Sequence, residues 1–375
     1  MTVRPFELCI QEAELDALRQ RLAQTRWPDK ETVDDWSQGA PLASVMALID
    51  YWHTRYDWRR CERLLNSFAQ YRTELDGLGV HFLHVRSPHA EAMPLIMTHG
   101  WPGSVIEFHK VIGPLTNPEA HGGRAEDAFH VVVPSLPGFG FSDKPDRAGC
   151  NIDRISRMWA TLMERLGYTR YVAQGGDWGS SVTAALGSLR PQGLAAIHLN
   201  TVMTIPPKRA EYTDPAEKAA MASIMSYQRH EAGYSLQQST RPQTLGYGLA
   251  DSPAGQAAWI YEKFRAWTDC EGRLESILSL DEILDNIMLY WLPNTATSSA
   301  RLYWESFRER PRKVEIPVGC SLFPHELSRP PREWAESLFS NLIYWNTPER
   351  GGHFAAFEQP ELFVREVRDC FRLIR

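Results

Sequence analysis

The chain has 375 residues, 43% of them apolar and 23% charged, with 40 Lys and Arg against 46 Asp and Glu for a formal net charge of −6. That balance excludes the basic footprint of a nucleic-acid binder and a polybasic membrane surface, and aromatic rings at 11% exclude a disordered polymer, because rings in that number are ordered only by burial. No stretch approaches the roughly 18 uninterrupted apolar residues of a membrane span, so the sequence predicts no membrane anchor.

Residues 1–90 read as a helical preface with strands at its end. Leu15, Leu18 and Leu22 recur at helical spacing until Trp27-Pro28 stops the run, and a second helical region covers Leu42 to about Phe68. Leu78–Val85 has strand character, bounded by Ser87-Pro88. From residue 91 to 203 short apolar runs alternate with helical stretches: Pro94–Thr98, Phe129–Val133, Tyr171–Gln174 and Ala195–Leu199, separated by helices near 104–115, 153–166 and 180–189. This rhythm predicts an α/β fold, a mostly parallel sheet with helices on both faces. It breaks at 204–309, an aromatic-rich helical block with no strand run, and resumes at 310–375 with strands at Lys313–Phe323 and Leu342–Trp345 and a last helix from Pro360 to Leu373. A helical block inserted between two strands predicts a cap over the carboxyl ends of the sheet, where open α/β sheets place ligands. Six cysteines are scattered singly, and Met1 to Ile10 carries Arg4, Pro5 and Glu7 in place of a basic and then apolar leader. The expectation is a cytoplasmic protein with reduced thiols.

The strongest local signal is Gly175-Gly176-Asp177-Trp178-Gly179, between a strand and a helix. Its form is the strand-to-helix elbow of the α/β-hydrolase fold, with Asp where the nucleophile stands. A carboxylate that attacks an sp³ carbon leaves an alkyl ester, which a second step must hydrolyse. His353 follows two glycines after the last strand, where the triad histidine belongs, and would activate that water. Glu326, in the loop after the strand at 317–323, is the only acid placed to orient His353, because the alternative loop after Leu199 opens on Asn200. The loop His99-Gly100-Trp101-Pro102-Gly103 follows an early strand, so the backbone N–H groups of Trp101 and Trp178 are the expected oxyanion hole. The pair His325-Glu326 is not a zinc motif, since Arg329 stands where a second His is needed.

Together HGWPGS at 99–104, GFGFS at 138–142, GGDWGS at 175–180 and RGGHFAAFEQPE at 350–361 resemble the microsomal-type epoxide hydrolases, and TRWPD at 25–29 resembles the N-terminal region that accompanies them. The resemblance implies two cap tyrosines that donate hydrogen bonds to the epoxide oxygen. Tyr234 in GluAlaGlyTyr and Tyr303 in SerSerAlaArgLeuTyr match them, although periodicity singles out neither. It implies no metal or organic cofactor, and a small-molecule epoxide and water as reactants. The aromatic cap suggests bulky apolar or aryl epoxides. A haloalkane-type dehalogenase, using the same Asp nucleophile with the Trp178 indole on the halide, is the first alternative. A catalytically silent hydrolase-fold binding protein is the second. A homodimer is compatible with the sequence.

Overall fold

The computed structural model describes residues 2–209 and 211–375. Nine strands form one sheet: β1 (Arg4–Pro5), β2 (Gln70–Leu75), β3 (Leu78–Val85), β4 (Met93–Thr98), β5 (Phe129–Pro134), β6 (Tyr171–Gly175), β7 (Leu194–Leu199), β8 (Val318–Ser321) and β9 (Leu342–Asn346). Their order is β1-β2-β3-β5-β4-β6-β7-β8-β9. The run from β5 to β9 is parallel, and β1, β2 and β3 add an antiparallel margin beside β5. Every residue of β5 is buried, as a central strand with helices on both faces requires. Helix Ile152–Arg165 packs on helix Trp178–Leu189, and helix His109–Thr116 on helix Pro360–Arg372.

Register levels the strand ends. Thr98 pairs with Gly175, Gly175 with Leu199, and Leu199 with Cys320. The loops that leave these four neighbouring strands therefore start side by side, which brings Trp101, Asp177, Thr201 and Glu326 to one edge. Residues 204–309 enter between β7 and β8 as helices Pro215–Ser226, Gly233–Thr240, Pro242–Asp251, Pro253–Trp267, Leu280–Trp291 and Ala296–Ser306.

Four local expectations needed correction. The helical region from Leu42 to Phe68 is two helices, Leu42–Thr54 and Trp58–Asn66, because Asp57 breaks it by accepting from the Arg59 N–H as an N-cap. β1 and β2 escaped notice: β1 is two residues long, and β2 alternates too weakly for a period of two to be visible. The strand expected at Lys313–Phe323 is only Val318–Ser321, since Pro317 brings no N–H to the ladder. The helix expected near 180–189 starts at Trp178.

Helices Leu42–Thr54 and Trp58–Asn66, with the turn between them, grip helix Leu280–Trp291 directly. Tyr56 donates to Asp285 at 2.7 Å, Arg60 donates to the same carboxylate at 2.6 Å, and Tyr51 donates to Asp281 at 3.1 Å. The other side of that cap helix holds the loop after β4. The Asn286 amide donates to the Pro102 carbonyl at 2.7 Å, Ser104 donates to Asn286 at 2.8 Å, and the Tyr290 hydroxyl donates to the Gly103 carbonyl at 2.6 Å. The six cysteines are free thiols, five of them buried. No helix among the described residues is long and apolar enough to cross a membrane.

Candidate active site

Asp177 stands at the turn between β6 and helix Trp178–Leu189, with φ 50° and ψ −129°. A non-glycine residue in this region costs about 1–3 kcal/mol, so the surrounding structure must hold it there. The neighbouring glycines are required by space. A Cβ on Gly179 would lie 1.9 Å from the Thr98 carbonyl oxygen, and one on Gly175 would lie 2.1 Å from the carbonyl oxygen of Gly179. Gly100 answers the nucleophile itself, because its Cβ would lie 2.0 Å from Asp177 Oδ1.

With that approach open, the Trp101 N–H donates to Asp177 Oδ1 at 2.8 Å. The Trp178 N–H opens the helix, where no carbonyl of the preceding turn is available to it. The other carboxylate oxygen, Oδ2, lies 3.3 Å from His353 Nε2. His353 Nδ1 lies 2.8 Å from Glu326 Oε1, which also accepts from the Leu327 N–H at 2.6 Å. Thr201 closes the circle: its hydroxyl accepts from the Asp177 N–H at 3.0 Å and donates to Glu326 Oε2 at 2.8 Å. Sequence reasoning passed over Thr201, which stands directly after the Asn200 that argued against an acid in that loop. His353 is tied to the cap as well, since its N–H donates to the Trp267 carbonyl at 2.9 Å. Gly351 has φ 112°, and a Cβ on Gly352 would lie 2.5 Å from that same carbonyl.

Burial opposes charging of His353, but the Glu326 and Asp177 carboxylates prevail and hold its pKa well above the ordinary imidazole value. His99 shows the opposite balance. Burial pushes it down to about 4, and it bridges the Gly100 carbonyl and the Leu136 N–H as a neutral ring. Glu107 is pushed up to about 8 by burial, against the pull of His353. With Asp177, His353, His99 and Asn200 it lines a cavity of about 20 Å³, where a single water needs roughly 10–15 Å³. Glu107 was also missed, although its place as the fourth residue of the capping box opened by Ser104 is a readable signal.

Helices Gly233–Thr240 and Ala296–Ser306 bring Tyr234 and Tyr303 together, their ring centroids 5.8 Å apart. Tyr234 stacks on Trp101 at 4.9 Å, and Tyr303 meets the Trp178 ring edge-on at 4.9 Å. Burial, with the nearby tyrosines and Asp177 adding to it, raises both phenols well above their usual pKa. A third phenol, Tyr227, lies 3.1 Å from the Tyr234 hydroxyl. It starts the wide turn Tyr227–Glu231, whose extra residue per turn shifts the helical spacing and hides the pair from periodicity.

The five side chains expected from the sequence therefore converge, with the Trp101 amide beside them. Comparison with known proteins adds the following. Residues 3–108 match the family described as epoxide hydrolase N terminus, and residues 93–229 the alpha/beta hydrolase fold. A Stigmatella aurantiaca protein named "Putative epoxide hydrolase" is 60% identical over all of this chain and 86% of its own length. Epoxide hydrolase 1 of Sus scrofa is 35% identical over 100% of this chain and 89% of its own. Among solved structures, juvenile hormone epoxide hydrolase from the silkworm Bombyx mori superposes with a TM-score of 0.91 at 30% identity, covering 100% of this chain and 95% of the silkworm chain. The Aspergillus niger epoxide hydrolase gives 0.90, again at 30% identity, covering 100% and 97%.

Proposed function

The chain belongs to the microsomal-type epoxide hydrolases, which turn an epoxide and water into a vicinal diol, and from that premise we propose which of its residues carry each step. The relatives favour neither the dehalogenase nor the silent binding protein.

In the first step Asp177 Oδ2 attacks a ring carbon from the side opposite its C–O bond. Oδ1 stays on the Trp101 N–H. As the C–O bond breaks, its electron pair passes to the ring oxygen, which accepts hydrogen bonds from Tyr234 and Tyr303 and takes the proton of one phenol. The product is an Asp177 alkyl ester.

Ester formation removes the charge of Asp177, one of the two carboxylates that hold the His353 pKa up. The imidazole then gives its proton up to solvent more readily and becomes a base for water in the cavity it shares with Glu107. Water attacks the ester carbonyl while the Trp101 and Trp178 N–H groups stabilise the oxyanion. The tetrahedral intermediate collapses by breaking the Asp177 Cγ–Oδ2 bond, so Oδ2 leaves on the diol, and His353 returns to it the proton taken from water. The proton left on the new carboxyl restores the phenol, and as Asp177 regains its charge His353 takes a proton back from solvent. Glu326, anchored by Thr201 and Leu327, keeps the imidazole turned to the site and steadies its charge.

The carrying observation is the split of Asp177: one oxygen on a backbone amide, the other facing an imidazole that a carboxylate orients. One turnover in oxygen-18 water, with mass analysis of the Asp177 peptide, tests it. Label in that carboxylate is expected, whereas label confined to the diol would mean direct attack by water and would end the proposal.

Trp101, Trp178 and Trp267 beside the tyrosines support bulky apolar or aryl epoxides as substrates. We read residues 204–309 as the cap, 1–90 as the N-terminal extension, and 91–203 with 310–375 as the core. Five buried free thiols support a reducing, cytoplasmic setting.

A further inference from the structure

Lys263 takes no part in the steps above, yet its charge is placed with unusual economy. The residue is only 6% exposed. Its Nζ lies 4.9 Å from the centroid of the Tyr234 ring and 5.8 Å from that of Trp267. Glu262 pairs with it at 2.5 Å and is the more exposed of the two side chains. The Glu231 carboxyl shares this neighbourhood, and its Oε2 is buried without a hydrogen-bond partner. A desolvated ammonium is costly to keep, and a carboxylate alone would hold it as well near the surface. Here it is carried inward onto the face of the ring whose hydroxyl reaches the epoxide.

We propose that Lys263 is a positioning residue for ring opening, acting through Tyr234 by holding a positive charge over the face of its ring. A cation is drawn to the face of a neutral phenol, and more strongly once the ring bears negative charge. As the Asp177 Oδ2–carbon bond forms and the ring C–O bond breaks, the Tyr234 proton moves to the epoxide oxygen and a phenolate develops beneath the ammonium. The interaction is therefore stronger in the transition state than in the ground state, which is the condition for accelerating a step. Water attack on the ester develops no charge on Tyr234, so the hydrolytic step gains nothing from the lysine.

The inference rests on Tyr234 being the acid, and a double-mutant cycle separates the two ideas. Alkylation and ester hydrolysis are measured in single turnovers of styrene oxide by stopped-flow tryptophan fluorescence. Lys263→Met should slow alkylation about tenfold and leave hydrolysis within about twofold, and Lys263→Arg should recover most of the loss. In a Tyr234→Phe background, Lys263→Met should change alkylation less than about twofold. An undiminished tenfold loss in that background overturns the proposal, as does an equal loss in both steps or a failure of Lys263→Arg to recover the rate. Tyr234→Phe alkylating at the full rate would remove Tyr234 as the acid, and the inference with it. Lys263→Gln replaces Lys263→Met if the latter does not fold.

Discussion

Around Asp177 position is set by backbone: the Trp101 N–H holds one oxygen, and glycine backbones at 100, 175 and 179 approach within distances no side chain would permit. Around Tyr234 and Tyr303 position is set by rings from separate elements, Trp101 of the loop after β4 on one side and the helical Trp178 and Trp267 on the others. The two constructions suit two tasks. A nucleophile and its oxyanion donors must be held to a fraction of an ångström, because their value depends on preorganisation. Phenols that follow a leaving oxygen need a dry, shaped wall that substrates of different size can share. Trp267 joins the constructions, since its carbonyl fixes the His353 amide while its ring packs against both His353 and Tyr234.

The sharpest break between the regions should come from His353→Ala. Ester hydrolysis should fall by about 10³-fold while alkylation stays within about tenfold, so an enzyme adduct of substrate mass accumulates in intact-protein spectra. A variant that still forms diol at a comparable rate with no adduct accumulating would refute the division of steps. Gly100→Ala should cost about 10²-fold in both steps, because a Cβ there displaces Asp177 Oδ1 from the Trp101 N–H. Tyr303→Phe, on the cap side, should slow alkylation alone, by about 30-fold, read from the same single-turnover traces.

The contrast extends to pH. Glu326 and Asp177 hold the His353 pKa well above the ordinary value against burial, which favours the imidazolium in the resting enzyme, and the proposed hydrolysis needs it neutral. Hydrolysis of the alkyl-enzyme should therefore rise with pH, up to about tenfold per unit below the lowered pKa of the ester form, whereas alkylation should not. Ester accumulation at low pH measures this. The smallest effect expected is from Asn286→Ala, which loosens the Pro102–Ser104 loop without touching a reacting group. It should lower kcat about fivefold and reduce the melting temperature, a buried hydrogen-bond pair being worth about 1–3 kcal/mol.

Much of the core side was readable because its signals are local. Gly-x-Asp-x-Gly between a strand and a helix, two glycines before a histidine, and an acid directly after a strand each express a turn whose steric needs fall within a few residues. Thr201 was hidden because a threonine after a strand is ordinary until Asp177 and Glu326 close on it from separate loops. Tyr227 and Lys263 were hidden for a related reason. The helix of Lys263 buries residues on several sides, and the wide turn that Tyr227 starts breaks the helical spacing, so neither spacing nor composition says which ring or ammonium turns inward.

The sequence by itself determined the alternation that makes a parallel sheet, the elbow that exposes Asp177, and the chain order of Asp177, Glu326 and His353. These depend on φ/ψ limits and on hydrophobic period, which act over a few residues. Tertiary structure alone decided that the Thr201 hydroxyl joins Asp177 and Glu326, that the Trp267 carbonyl fixes His353, and that the N-terminal helices reach the Pro102–Ser104 loop through helix Leu280–Trp291. Those contacts join residues far apart in the chain. They form because level strand ends and close packing bring the loops and the cap together, which no local rule encodes.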